Sequence, residues 1–158
     1  MRLWHYKLIP FLPKSQLLSQ WRELNSIFAK EDKNILINYI YEYSRNDLYN
    51  YTVLVINEMR RRQYRINSSK YFQDYFLYDP SFDFYCEYDP FHKHHNNTYL
   101  LMCYYNLAEK HLRGQKDFDN ETFYKLKDFV RNEITKSIEK ENENDTGKSD
   151  SKCSLFLF

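Results

Sequence analysis

At 158 residues the chain is sized for a single domain with a core of its own, and no run approaches the ~18 apolar residues of a membrane span. Its three cysteines, Cys86, Cys103 and Cys153, are odd in number and show no paired spacing; this excludes a disulfide frame and a cysteine zinc site, and reads as free thiols in a reducing compartment. The net charge of +1 hides an asymmetry: residues 1–72 carry 12 Lys and Arg against 6 Asp and Glu, residues 73–158 carry 11 against 16, and a basic half beside an acidic one suits a face that meets a polyanion.

In chain order, the opening MRLWHYKLIP is not a secretory signal, because Lys7 and Pro10 break the apolar run that such a signal needs. Pro13 is placed as the first residue of a helix, where its missing N–H costs nothing. Leu17, Trp21, Leu24 and Phe28, with Leu18 beside them, then fall on one stripe at helical spacing. With Trp21 at the centre of that stripe, Glu23 lies about 200° away on the polar face with Ser19 and Gln16, and Arg22 sits at the border. The run NILINYIYEY is a strand candidate, but nothing nearby pairs with it. Asp47 predicts the cap of a second helix that turns Leu48, Tyr51, Val55 and Met59 inward and ends in Arg60, Arg61 and Arg62.

Residues 67–95 are aromatic, twice interrupted by Asp-Pro, and expected to be irregular. Asn96 or Asn97 predicts the cap of a third helix, with Leu100, Tyr104, Leu107 and His111 in phase and Gly114 as its stop. A fourth is expected from Asn120 to Lys140 through Phe123, Leu126, Val130 and Ile134. Together these give an all-α domain over residues 1–140, followed by a polar, disordered tail over 141–158. The 16 tyrosines and 14 asparagines are a compositional bias, so a single Tyr or Asn carries little functional weight.

By spacing alone, an Arg-Glu pair on one helix is an ordinary solvated face. Three blocks of sequence say more. LLSQWREL (17–24) read with Leu8 and Leu12, then YIYEYSRNDLYNYTVLVINEMRRRQYRI (39–66), then HNNTYLLMCYYNLAEK (95–110) resemble, in that order, three blocks of the pyrimidine-dimer DNA glycosylases, the family of phage endonuclease V. FYKL (123–126) is loosely similar to an aromatic patch near that family's C-terminus.

The resemblance implies a compact helical fold and a monomer that acts on damaged double-stranded DNA without metal, cofactor or membrane. It implies an intracellular place, in cytoplasm or nucleus, for a protein of cellular or viral origin. It implies a glycosylase that is also an abasic-site lyase. In that chemistry the α-amine of Met1 attacks C1′ of the damaged nucleotide and forms an imine once the base leaves. Glu23 stabilises the cationic intermediate and assists loss of the C2′ proton, so that the strand breaks by β-elimination.

By the same resemblance Arg2 and Arg22 hold phosphates or the lesion, and His95 lines the DNA site or caps its helix. Arg60 and Arg61 answer the helix dipole first and contact phosphate second. Two positions depart from the family: Gln16 stands where a His is expected, and Ser26 where a second basic residue is expected. They leave the lesion open and keep a rival reading in play, a non-catalytic DNA-binding or packaging protein on the same scaffold.

The amine reading also has a physical basis of its own. An imine-forming amine must be neutral to attack, and an α-amine titrates near ~7.7–8.0 against ~10.4 for a lysine. Arg2 protects Met1, because aminopeptidases remove methionine only ahead of a small residue, and cationic neighbours such as Arg2 and Arg22 favour the neutral amine. His5 reads as a packed or surface residue. The cluster HKHH, with His92, His94 and His95 at loop spacing, supplies little of the fixed geometry that a metal needs.

Overall fold

A computed structural model of the chain describes residues 2–66, 70–77 and 88–149, with backbone alone for residues 70, 71 and 144–149. Among the described residues every regular element is helical. A 3-10 helix, Tyr6–Phe11, is followed by α1 (Lys14–Lys30), a second 3-10 helix (Asn38–Glu42), α2 (Arg45–Arg61), α3 (Lys70–Leu77), α4 (Asn97–Leu112) and α5 (Asn120–Ser149).

Pro13 is the N-cap of α1 and not its first residue, a shift of one position. The strand candidate over 34–43 folds instead as local turns and a 3-10 helix. The Asn34 side chain accepts from Leu36 N at 3.0 Å, and Asn38 Oδ1 accepts from Asn34 N at 2.8 Å. Asn side chains closing on nearby backbone in this way compete with any ladder. The N-cap of α2 is Ser44 and not Asp47. Asp47 is buried in its first turn, where its carboxylate accepts from Phe91 N at 2.7 Å and from the Tyr88 hydroxyl at 2.8 Å, tying the 88–95 loop to the start of α2.

Helix α4 follows the expected caps at both ends. Asn96 Oδ1 accepts from Tyr99 N at 3.0 Å. Gly114 takes a left-handed φ of 78°, its N–H reaching His111 O while Gln115 N reaches Lys110 O. This is the paired closure that a glycine after the cap permits. The segment expected to be irregular contains α3, whose Phe72, Tyr75 and Phe76 pack on Phe28 of α1 with ring centroids 5.5 Å apart. Helix α5 continues past Lys140 to Ser149, and residues 139–143 are exposed, so the first part of the expected tail is solvated helix.

Two pairings organise the body. Helices α4 and α5 pack through Leu100, Leu107, Leu126 and Val130, while α1, α2 and α3 form the other group. The amino-terminal 3-10 helix touches α2, α4 and α5, and the buried Leu3, Trp4, Leu8, Ile9 and Leu12 make the start of the chain part of the core.

Candidate functional site

The buried residues of α1 are Leu17, Gln20, Leu24, Ile27 and Phe28, so Leu24 and not Trp21 is the centre of its inward face. That rotates the helix relative to the expectation. Arg22 points to solvent opposite the core, and Glu23 is half-buried on the flank, together with Gln16. Glu23 has no hydrogen-bond or ion-pair partner among the described residues. Its charge, behind burial and the nearer Tyr75, Glu31 and Asp32, is among the influences that push the Tyr41 hydroxyl up to about 12. Gln16 Nε2 lies 3.5 Å from Gln115 Oε1, at the edge of hydrogen-bonding reach.

Residues 3–6 thread the core without a backbone ladder. Their peptide groups are met by side chains from three helices and a loop. Tyr99 donates to Leu3 O at 2.6 Å, Gln20 Oε1 accepts from Trp4 N at 2.8 Å, and Tyr51 donates to Trp4 O at 2.8 Å. Cys103 Sγ accepts from His5 N at 3.4 Å, and His95 Nδ1 accepts from Tyr6 N at 3.1 Å. Met1 itself, the expected nucleophile, lies outside the described residues. Arg2 is half-buried; its Nη1 is buried without a hydrogen-bond partner among the described residues, and its charge acts on Cys103 and Tyr99.

His95 is not a surface ligand. It is 5 % exposed, and both ring nitrogens are engaged internally. Since Nδ1 accepts from Tyr6 N, the ring proton sits on Nε2 and is donated to the Tyr39 oxygen at 2.7 Å. Tyr99, whose ring meets that of Tyr39 edge-on with centroids 6.3 Å apart, donates separately to Leu3 O. His5 is equally enclosed: Nδ1 accepts from Lys7 N and Nε2 donates to His95 O at 2.8 Å. Burial holds both rings neutral, His5 down at about 4 and His95 down at about 2. The helix cap expected of His95 is supplied by Asn96.

The arginine run at the end of α2 separates into three situations. Arg60 is exposed, without a carboxylate partner among the described residues. Arg61 donates to Glu58 Oε1 at 2.7 Å and Oε2 at 2.8 Å. Arg62 binds Glu58, Leu12 O and Pro10 O, and so fastens the 3-10 helix onto α2. Glu58 is buried, which raises its pKa, but the hydrogen bonds from Arg61 and Arg62 outweigh this and hold it below the usual carboxylate range.

Beside Arg60 lies a cavity of about 440 Å³ whose aromatic walls are Trp21, Tyr64 and Phe72, with Ile56, Ile66 and Gln73 completing it. The Lys14 ammonium sits 5.5 Å from the Tyr64 ring. Aromatic faces next to unpaired cations suit stacked bases and their phosphates.

Arg22, Glu23 and Gln16 therefore share α1, and Arg60 stands across the Trp21 cavity. Arg61 and His95 belong to other surroundings. The unforeseen residues are Gln20, Tyr51 and Tyr99, which hold the amino-terminal segment. A polar residue inside the 17–20–24–27 repeat was the available signal for Gln20. Gln20 and Glu23, three positions apart on one flank, are helix neighbours with Cβ atoms about 5–6 Å apart. Glu23 is thereby set close to the side chain that fixes residue 4.

Among the described residues no group of three side chains could hold a metal ion, and no helix is long and apolar enough to cross a membrane. Residues 1–72 match the family model of the pyrimidine dimer DNA glycosylases. This stretch carries Arg2, Gln16, Gln20, Arg22, Glu23, Arg60 and Arg61, and the match supports the family resemblance read from the motifs. No curated protein and no solved structure matches the chain.

Proposed function

We propose that this protein excises a damaged pyrimidine from duplex DNA through an imine with its own α-amine, and then nicks the strand as an abasic-site lyase. The observation that carries this reading is the burial and side-chain fixation of residues 3–6 immediately behind Arg2, with Glu23 on the adjoining flank of α1. A surface terminus needs no such hold, whereas a nucleophile does. The match of residues 1–72 supports the glycosylase part of this reading.

In this scheme the neutral Met1 amine bonds to C1′ as the glycosidic bond breaks, and the departing base takes up a proton. Loss of an amine proton gives the aminal, and the C1′–O4′ bond then breaks with a proton going to O4′, which opens the sugar and leaves the iminium. Glu23 is the base that takes the C2′ proton, the C3′–O bond breaks with the phosphate as leaving group, and water releases the amine. Arg22 and Arg60 hold the backbone, while the cavity of Trp21, Tyr64 and Phe72 receives a base turned out of the stack, which costs a few kcal/mol of lost stacking.

The test is a duplex carrying one thymine dimer, and a second carrying one abasic site, each incubated with borohydride. A covalent adduct whose cross-linked peptide begins at Met1 is expected from both, with nicking in the absence of reductant. Adding one residue ahead of Met1 should abolish both. Binding without adduct or nick would leave a non-catalytic DNA-binding protein.

A further inference from the structure

The hold on the amino-terminal segment contains a feature that packing does not explain. Gln20 is 1 % exposed, and the Trp4 N–H at 2.8 Å fixes its amide with the oxygen toward residue 4, because the flipped amide would set two donors against each other. Nε2 is then buried with no partner among the described residues. A buried amide donor left unmade is costly, and Leu or Met would fill the same volume without that cost. The position calls for an oxygen acceptor at Trp4 N.

Around that acceptor the other two contacts are equally directed. The single Tyr51 proton is shared between Trp4 O at 2.8 Å and Gln20 Oε1 at 3.0 Å, and the Tyr99 hydroxyl donates to Leu3 O at 2.6 Å. Three side chains from α1, α2 and α4 thus converge on two successive peptide groups. The α-amine lies two residues upstream, so covalent geometry alone keeps Met1 Cα within about 7.6 Å of Leu3 Cα.

We infer that Gln20, Tyr51 and Tyr99 form a clamp that positions the α-amine for attack. They are positioning residues, acting through the backbone of Leu3 and Trp4 and touching no substrate. This inference rests on the amine chemistry proposed above and adds the residues that set where the amine stands. Placement errors near 1 Å cost about 100-fold in rate, so the clamp should be read in the chemical step and not in DNA affinity.

The experiment compares wild type with Tyr51→Phe plus Tyr99→Phe, Gln20→Met and Gln20→Glu. It measures the borohydride trapping rate on abasic duplex at saturating protein, affinity for a duplex with an uncleavable tetrahydrofuran site, and the melting temperature. The double Phe variant and Gln20→Met are expected to trap about 10- to 100-fold more slowly. Their affinity should stay within about twofold, since no clamp residue contacts a phosphate. Gln20→Glu keeps an oxygen toward Trp4 N, and burial keeps its carboxyl protonated, so it should recover most of the rate. A merely structural role predicts the opposite order, with lost stability and an unchanged rate per folded molecule.

Folded variants that trap at the wild-type rate through Met1 overturn the clamp and leave the proposed chemistry standing. A wild-type adduct through a lysine overturns both. Should Gln20→Met not fold, the double Phe variant, which lacks only the two hydroxyl oxygens, decides the matter.

Discussion

The two ends of this core are built on different terms. Between α4 and α5 the contacts include Leu100, Leu107, Leu126 and Val130, all fully or nearly fully buried, and among the described residues the one unpartnered buried polar atom there is Nδ1 of His111, whose ring stacks on Phe123 at 4.1 Å. Around residues 3–12 the interior holds His5, Gln20, Glu58 and His95, and almost every polar atom faces the backbone of the amino-terminal segment or a residue that fastens it. A pair of helices satisfies its own peptide groups and needs only apolar burial. A segment without a ladder leaves its N–H and C=O groups to the side chains around it. The difference teaches that the amino-terminal region is organised for position, at some cost in stability, and the α4–α5 pair for stability itself.

The largest effect that would break this contrast is chemical. Glu23→Gln keeps size and removes charge on the flank of α1, and strand cleavage of abasic DNA should fall at least ~10²–10³-fold, in line with the loss of transition-state electrostatics. Affinity for the same duplex should hold. A Gln variant that nicks at the wild-type rate would make Glu23 a surface residue and leave the clamp nothing to serve.

In the apolar pair the expected loss is thermodynamic. Leu107 is fully buried, and Leu107→Ala should lower unfolding free energy by about 2–5 kcal/mol, read as a shift of the urea midpoint. Nicking per folded molecule should not change. Impaired nicking at full folding would tie the α4–α5 contact itself to the chemistry and blur the division.

Acid separates the regions as well. His5 and His95 are neutral in the folded chain with pKa values depressed to about 4 and about 2, while in the unfolded chain they titrate near ~6.5. Protons therefore bind the unfolded state first, and stability is complete above ~6.5 and falls as pH drops through the window down to about 4 for His5 and about 2 for His95. Each ring contributes roughly 1.4 kcal/mol per pH unit within its window. Urea midpoints at pH 7, 6 and 5 should decline steadily, ahead of carboxylate protonation, and His95→Gln should flatten the slope. A midpoint independent of pH over that range would mean that the rings are not held neutral inside.

How much of this was legible beforehand divides along the same line. The α4 helix could be read to its caps, because Asn96 and Gly114 act locally and the apolar phase of Leu100 and Leu107 is unambiguous. The tilt of α1 could not. Trp21 is the most hydrophobic residue of its stripe by size, yet it ends half-buried on a cavity wall, and only the burial of Gln20 turns Glu23 from the far face to the flank. Tyr51 was placed inward by its periodicity, but in a chain with 16 tyrosines nothing marked its hydroxyl, or that of Tyr99, as a partner of residues 3 and 4. Those contacts span 47 and 96 residues. Local pattern carries no information at that range.

A smaller effect is expected at the cationic surface. Arg22 and Arg60 are exposed without a carboxylate partner among the described residues, whereas Arg61 is held by Glu58. Arg22→Ala and Arg60→Ala should each reduce the slope of log K against log salt by about one unit, and Arg61→Ala by less. Equal slopes for all three would show that the ion pair with Glu58 does not withdraw Arg61 from DNA.

The smallest effect belongs to the end of α5. The Ser137 side chain bonds back into the helix through Glu133 O at 3.0 Å, and among the described residues Ile134 is the last apolar one packed on the core. Residues 139–143 are exposed, and residues 141–158 carry four Asp and Glu against two Lys. Deleting 141–158 removes no core contact of the described residues, so stability should stay within about 0.5 kcal/mol, as for surface changes elsewhere. It also removes net negative charge that opposes a polyanion, and DNA affinity at low salt should be unchanged or slightly higher, the difference vanishing as salt screens it. Titrations of full-length and truncated protein at two salt concentrations make the comparison. A truncation that lost binding would place part of the DNA interface at the acidic end of the chain, and the contrast between a positioned, basic amino-terminal region and a merely stable α4–α5 pair would no longer describe this protein.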